Sequence, residues 1–385
     1  MPTEKNIYYN VHTHVFDRTC IPTQILGEKY GWLLEKLLAA KSDVAILMIL
    51  QFLTIFFRNS GLLERAKMLF RAFSKGDQYA VLETLIKEYK NIDPNLTMRF
   101  VLLCQDMDCN GVDKPKKDLR AQVDEISRIM SYLESGPYAK TIIPFIGIHP
   151  DNHANTSSLM AFVKHYIEVK KFCGIKIYPA AGHYPNDLRL KALWLYCVEK
   201  NIPIMTHATC GPIYYRGKDI QERIGTDRPY KYLTNEKQIQ ANFTSTSNFK
   251  KLLEKHPELK LCFGHCGGIP CEDRSEIGII QRKWMQDIFA FCRQYENVYC
   301  DISFINHSDQ QLDCLYKIAS QNNGSSDYNL DDKFLYGTDF YVNKHKCDEA
   351  TAFKNSSYVF NMNKIASTNP AKFLTSKFFT FHSLK

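Results

Sequence analysis

No Cys-x-x-Cys pair occurs among the thirteen cysteines, which are scattered from Cys20 to Cys347. An odd, dispersed set is not the paired framework of a disulfide-built scaffold, so the thiols are expected to be reduced and the compartment cytoplasmic. The opening Met-Pro-Thr-Glu-Lys-Asn also has no apolar stretch ahead of a cleavage site, in keeping with that expectation. Long apolar runs are missing too. The longest, Val44 to Phe57, is broken by Gln51 and Thr54 and falls below the roughly 18 to 20 residues of a membrane span, so a buried helix is the preferred reading. Basic residues are neither abundant nor clustered: 49 Lys+Arg against 41 Asp+Glu give a net charge of +8. Without a basic stripe or patch a nucleic-acid partner is not expected, while a weak attraction to small anions is. Short-period repeats and low-complexity tracts are lacking as well. At 45% hydrophobic and 23% charged residues, the chain has the composition of a soluble globular protein able to bury a large core.

What the sequence does contain is alternation. Short β-branched and aromatic runs exchange with amphipathic helical stretches, the pattern of a parallel sheet wrapped by helices. The candidate strands are Ile7 to His14, Arg99 to Cys104, Ile142 to His149, Gly174 to Tyr178, Ile202 to His207, Lys260 to His265, Val298 to Ser303 and Phe334 to Asp339. Helices are expected at Leu119 to Leu133, Leu159 to Lys171, Leu188 to Lys200, Ser247 to His256, Gln281 to Tyr295, Gln310 to Ser320 and Pro370 to Phe378. Eight such units predict an α/β fold, a single closed (β/α)₈ TIM barrel over residues 1–385. Two excursions interrupt it. A helical insertion, residues 21–91, stands between strands one and two as a lid or a homo-oligomer contact, and a polar loop, residues 208–245, follows strand five.

The chemistry lies at the strand ends. His12 and His14 are two apart and face one side of strand one. Strand five ends at His207, strand six at His265 and strand eight at Gly337-Thr338-Asp339. In a barrel these ends open on one face, so the residues can meet around one ion. Neutral imidazoles with a carboxylate suit a divalent metal, Zn²⁺ first, with Fe²⁺, Mn²⁺ or Ni²⁺ as alternatives. Taken singly, a His-x-His or a Gly-Thr-Asp is weak; their joint placement on four strand ends carries the reading.

Val11-His12-Thr13-His14, Gly174-Ile175-Lys176-Ile177-Tyr178-Pro179, Ile202-Pro203-Ile204-Met205-Thr206-His207, Phe263-Gly264-His265-Cys266-Gly267-Gly268, Tyr336-Gly337-Thr338-Asp339-Phe340 and Asn369-Pro370-Ala371-Lys372-Phe373-Leu374 stand in this order along the chain. In these motifs the chain resembles the metal-dependent amidohydrolase superfamily, nearest to its amidohydrolase-2 branch. It departs from the family at Tyr341, where proline is frequent. Gly147-Ile148-His149-Pro150 is similar to the TatD-like nucleases, but those carry glutamate where Lys176 stands. With His12 so near the start of this sequence, the flanking sandwich of the urease-like branch is not expected.

The resemblance implies His12, His14, His207 and Asp339 as metal ligands, with His265 beside the nucleophilic water. One ion is favoured. Two are expected if Lys176 is carboxylated, with His207 and His265 on the second; an unmodified Lys176 would pair with a carboxylate instead. The implied reaction is hydrolysis of a C–N or C–O bond in an amide, lactone or ester of a small molecule, anionic by preference, with Asp339 and His265 catalytic. A non-oxidative decarboxylase on the same shell is the alternative, and an inactive barrel serving as a binding protein is a third reading. Lys176, Tyr178, Arg216 and His149 are the expected substrate contacts: His149 and Tyr178 end strands, Lys176 stands on strand four, and Arg216, in the loop after His207, offers a planar donor fork for a carboxylate or phosphate.

Overall fold

A computed structural model describes residues 7–22, 76–136, 138–210, 215–225, 241–268, 276–321 and 330–382. Its β-branched and aromatic runs form eight parallel strands paired in sequence order: β1 (Ile7–Thr13), β2 (Thr97–Leu103), β3 (Ile142–Ile148), β4 (Gly174–Ile177), β5 (Ile204–His207), β6 (Leu261–Gly264), β7 (Val298–Asp301) and β8 (Phe334–Leu335). Backbone bonds carry the sheet round from β8 to β1: Val11 N–H donates to the Tyr336 carbonyl at 2.8 Å, and Asp339 N–H to that of His12 at 2.8 Å. The architecture is the expected TIM barrel. Strand eight is shorter than its expected span of 334–339, and the last residue of that span, Asp339, has φ +57, outside the extended region.

Helices cover the strands. Leu119–Leu133 starts on an Asp118 side-chain cap and buries Leu119, Val123, Ile126 and Leu133, a stripe at three- and four-residue spacing. Gln78–Ile92, capped by Asp77, does the same with Val81, Leu82, Leu85 and Tyr89. It falls inside the span read as an insertion, yet it packs between Leu119–Leu133 and Glu349–Val359 as the barrel's first helix. Residues 23–75, with the Val44 to Phe57 run, lie outside the described residues, as do 211–214 and 226–240 of the loop after β5. Glu349–Val359 was not anticipated from the sequence, since its buried positions are Glu349, Ala352 and Ser356 and give no apolar stripe. The last helix, Asn369–Leu374, ends short of its expected limit at Phe378.

Eleven described cysteines form no disulfide, but Cys314 is disulfide-bonded, which corrects the wholly reduced reading. Among the described residues no helix is long and apolar enough to cross a membrane.

The barrel interior is layered. Tyr9, Val11, Val101, Leu103, Ile143, Phe145, Met205, Cys262 and Leu335 fill the lower part, closed by Phe373 and Leu374. Alternate residues, such as Phe100, Leu102, Ile175, Ile177 and Phe263, face the helices instead. On β1 the alternation changes phase. Asn10 pairs with Phe100 but Thr13 with Leu102, so one extra residue bulges between them. The bulge lets odd-numbered Tyr9 and Val11 and even-numbered His12 and His14 share the interior.

Candidate metal centre

His12, His14 and Asp339 meet at the mouth, with one ligand atom of each within 4.8 Å of the others and all three buried. Each imidazole is oriented from behind. His14 Nδ1 lies 3.0 Å from the Leu103 carbonyl, and His12 Nδ1 lies 2.8 Å from Asp301 Oδ2. Both neighbours are acceptors, so the ring proton sits on Nδ1 and the Nε2 lone pairs turn toward Asp339 Oδ1, at 3.3 Å from His14 and 3.7 Å from His12. Three electron-rich atoms facing one another call for a cation between them.

His207 ends β5 in ring contact with His265, at a centroid distance of 5.1 Å. Its ring bonds to the Thr209 backbone and stacks on Tyr178 at 4.2 Å, while Nε2 is buried with no hydrogen-bond partner. A converging carboxylate and two imidazole lone pairs, with an orphaned imidazole nitrogen buried at a further strand end, fit a divalent ion of the zinc type. Burial, then the charge of Lys176, pushes His12 down to about 3 against the opposing pull of Asp301. Burial likewise holds His207 well below its ordinary value, reinforced by His265 and Lys176. These rings are therefore neutral at pH 7, the form that binds metal.

Asp339 is lowered to about 2: burial alone would raise it, but the adjoining His14, His265 and His12 outweigh that cost. Lys176, wholly enclosed on β4, is pushed down to about 8 by burial, against Asp301 and Asp339, and its Nζ lies 3.5 Å from His12 Nε2. His265 stands between the others, its ring centroid 4.6 Å from that of His12 and 5.1 Å from that of His207. Two glycines make the room. A Cβ at Gly264 would lie 2.9 Å from His12 Cε1, and one at Gly337 would lie 2.7 Å from His12 Cβ. The backbone here is also held in unusual conformations, with φ of +65 at His265, +48 at Cys266 and +57 at Asp339. Such conformations persist where surrounding structure imposes them, and they gather at functional sites.

Not every expected contact reaches this cluster. His149 ends β3, where its Nε2–H donates to the Ala181 carbonyl at 3.2 Å and its Nδ1 accepts from Asp151 N–H at 3.2 Å. Both nitrogens thus brace the loops after β3 and β4. For Arg216 the structure fixes the main chain, its N–H donating to the Asn110 carbonyl at 2.8 Å on the loop after β2, and the side-chain role stays an expectation. Asp301 and Ser303 were missed, although the signal was present: they are two apart at the end of a strand, the same spacing that singled out His12 and His14.

A parallel eight-stranded barrel with imidazoles and carboxylates converging at the C-terminal strand ends defines the class: a TIM-barrel protein with its site at the catalytic face. The amidohydrolase family model, Amidohydro_2, matches residues 154–375, more than half of the chain, and the protein belongs to this family. No curated protein matches it. Among solved structures, an uncharacterised TIM-barrel protein from Bordetella bronchiseptica is 15% identical with a TM-score of 0.48, over 77% of this chain and 83% of that one. 4-Oxalomesaconate hydratase from Rhodopseudomonas palustris is 12% identical with a TM-score of 0.49, over 95% of each chain. Amidohydrolase 2 from Bifidobacterium longum subsp. infantis is 13% identical with a TM-score of 0.46, over 96% and 98%. These are similarities, and no reaction is taken from them.

Proposed function

We propose that the protein is a metal-dependent hydrolase acting on a C–N or C–O bond of a small amide, lactone or ester. The observation that carries this reading is the convergence of His12, His14 and Asp339, supported by the buried, unpartnered Nε2 of His207 at the end of β5. These four residues would hold the ion. A divalent cation in such a site lowers the pKa of water from 15.7 to about 7 and polarises a carbonyl oxygen. Asp339, a carboxylate at neutral pH, accepts the proton of the attacking water and returns it to the leaving group. His265, neutral and enclosed beside His12, offers its ring nitrogen as an acceptor to the attacking water or another donor of the reacting molecule. Lys176 supplies a buried positive charge, which favours an anionic substrate. Tyr178 holds the His207 ring by stacking. We read one ion, with Lys176 an unmodified ammonium favoured by the charges of Asp301 and Asp339.

The test is elemental analysis of the purified protein with its Asp339→Asn and Lys176→Ala variants, followed by a panel of lactones, amides, esters and carboxylic acids. One ion per chain, kept by Lys176→Ala, with hydrolysis of a panel member, supports the proposal. Two ions that fall to one in Lys176→Ala overturn the single-ion reading. Release of CO₂ without hydrolysis assigns a decarboxylase instead, and failure to bind any divalent metal overturns the enzyme reading.

A further inference from the structure

We propose that Asp301 and Ser303, at and just beyond the end of β7, are a positioning pair that sets which ring nitrogen carries the proton in both His12 and His265. The hydrogen bonding stands on geometry; its chemical purpose rests on the function proposed above.

Asp301 is enclosed and surrounded by donors. Its Oδ2 faces His12 Nδ1 at 2.8 Å. Its Oδ1 accepts from the backbone N–H groups of His265 and Ser303, each at 3.0 Å, and from the Ser303 hydroxyl. A carboxylate has no proton to give, so His12 must present N–H at Nδ1. Ser303 has one hydroxyl proton, and Asp301 takes it. The oxygen then offers only lone pairs to the rings, at 2.9 Å from His265 Nδ1 and 3.2 Å from His12 Nδ1. The Ser303 carbonyl lies 3.3 Å from the same His265 nitrogen. Both of these neighbours of His265 Nδ1 are therefore acceptors, and the proton belongs there. Nε2 of each ring is left bare: on His12 to hold the ion with His14, on His265 to accept a proton or a hydrogen bond from the reacting molecule.

The same atoms admit a competing reading, because His12, His265 and Asp301 also place one ligand atom each within 4.8 Å. A cation there would have to displace the His12 N–H from Asp301 and compete with the three donors on Oδ1. Partners that orient a liganding histidine from behind are a recurring device, and their loss typically weakens metal binding by about 10- to 100-fold.

Long-range ¹H–¹⁵N spectra of the full-length, ring-labelled protein, stripped of metal, test the pairing directly, with His12→Gln and His265→Gln providing assignments. The expected result is Nδ1–H at both rings, with Ser303→Ala shifting the His265 signals toward a tautomer mixture and Ser303→Thr restoring them. A wild-type His265 protonated on Nε2, or unchanged by Ser303→Ala, overturns the role of Ser303. Asp301→Asn is expected to weaken zinc binding about 10- to 100-fold in chelator competition; unchanged affinity overturns the role of Asp301. If Asp301→Asn does not fold, Nε2–H at His12 in the wild-type spectrum does the same. Because the spectra need no metal, the tautomers can stand where zinc fails to bind, which separates this proposal from the functional one.

Discussion

The two ends of one barrel interior are built for opposite purposes. Toward the N-terminal ends of the strands, Tyr9, Val11, Phe145, Met205 and Leu335 pack against Phe373 and Leu374. This layer is apolar and gains from removing surface from water. Toward the C-terminal ends the same strands enclose His12, His14, Lys176, His207, His265, Asp301 and Asp339, all buried. Burying polar and charged groups is costly, and here the cost is offset by hydrogen bonds and by charge set against charge. The contrast shows that the strand pattern is common to both ends, whereas the mouth adds a bulge, two glycines and backbone in left-handed conformations. A plug that stabilises and a mouth that spends stability should respond differently to mutation.

The sharpest separation is expected from one substitution at each end. Asp339→Asn should lower hydrolysis by roughly 100- to 10,000-fold, the range for losing a general acid–base group, with little change in the urea midpoint. A variant that unfolds instead would place Asp339 among the stabilising residues and dissolve the contrast. Phe145→Ala, in the plug, should destabilise by about 3–5 kcal/mol in urea titration while the folded fraction retains its metal. Metal loss without destabilisation would show that the layers are not separable.

A buried acid outside the barrel sharpens the comparison through pH. Burial pushes Glu349 up to about 7 from its ordinary 4.5, outweighing the hydroxyls of Tyr89 and Thr338 that favour its charge. The native state thus keeps a proton that the unfolded chain releases, so the stability from this group is full below pH 4.5 and declines as pH rises through about 7. Glu349→Gln should remove that decline, making the variant relatively more stable at pH 8 than at pH 5 by an amount on the order of 3 kcal/mol. Parallel pH profiles for the two proteins would contradict it. Gly264→Ala, which brings a Cβ to 2.9 Å from His12 Cε1, should weaken zinc binding by about 10-fold, the low end for disturbing a ligand's support. Unaltered affinity in chelator competition would show that His12 has room to shift. The smallest effect is expected at Tyr178→Leu. Loss of its stacking on His207 is worth about 0.5–1.5 kcal/mol, which should appear as a change of up to about 10-fold in metal affinity.

Much of the barrel was legible because its signals are local. Short apolar strands punctuated by helices need only neighbours in sequence to be read, and His12, His14, His207, His265 and Asp339 could be placed on strand ends by counting. Glu349–Val359 escaped because its buried positions are a carboxylate and two small side chains, which leave no apolar stripe. Gln78–Ile92 was assigned to an insertion, since amphipathic spacing tells which face a helix buries but not what it is buried against. Asp301 and Ser303 were legible in principle, being spaced like the strand-one histidines, but nothing local distinguishes a buried strand-end carboxylate from an ordinary one.

The sequence by itself determined the order of strands and set His12, His14, His207, His265 and Asp339 at strand ends, because period-two and helical periodicities are properties of the chain. Tertiary structure decided the rest: the bulge that brings His12 and His14 into the interior beside Tyr9 and Val11, the closeness of Asp301 to a histidine 289 residues away, and the direction in which each lone pair points. Those depend on how one strand registers against the next and on which acceptor stands behind each ring, and both are fixed only when the barrel closes.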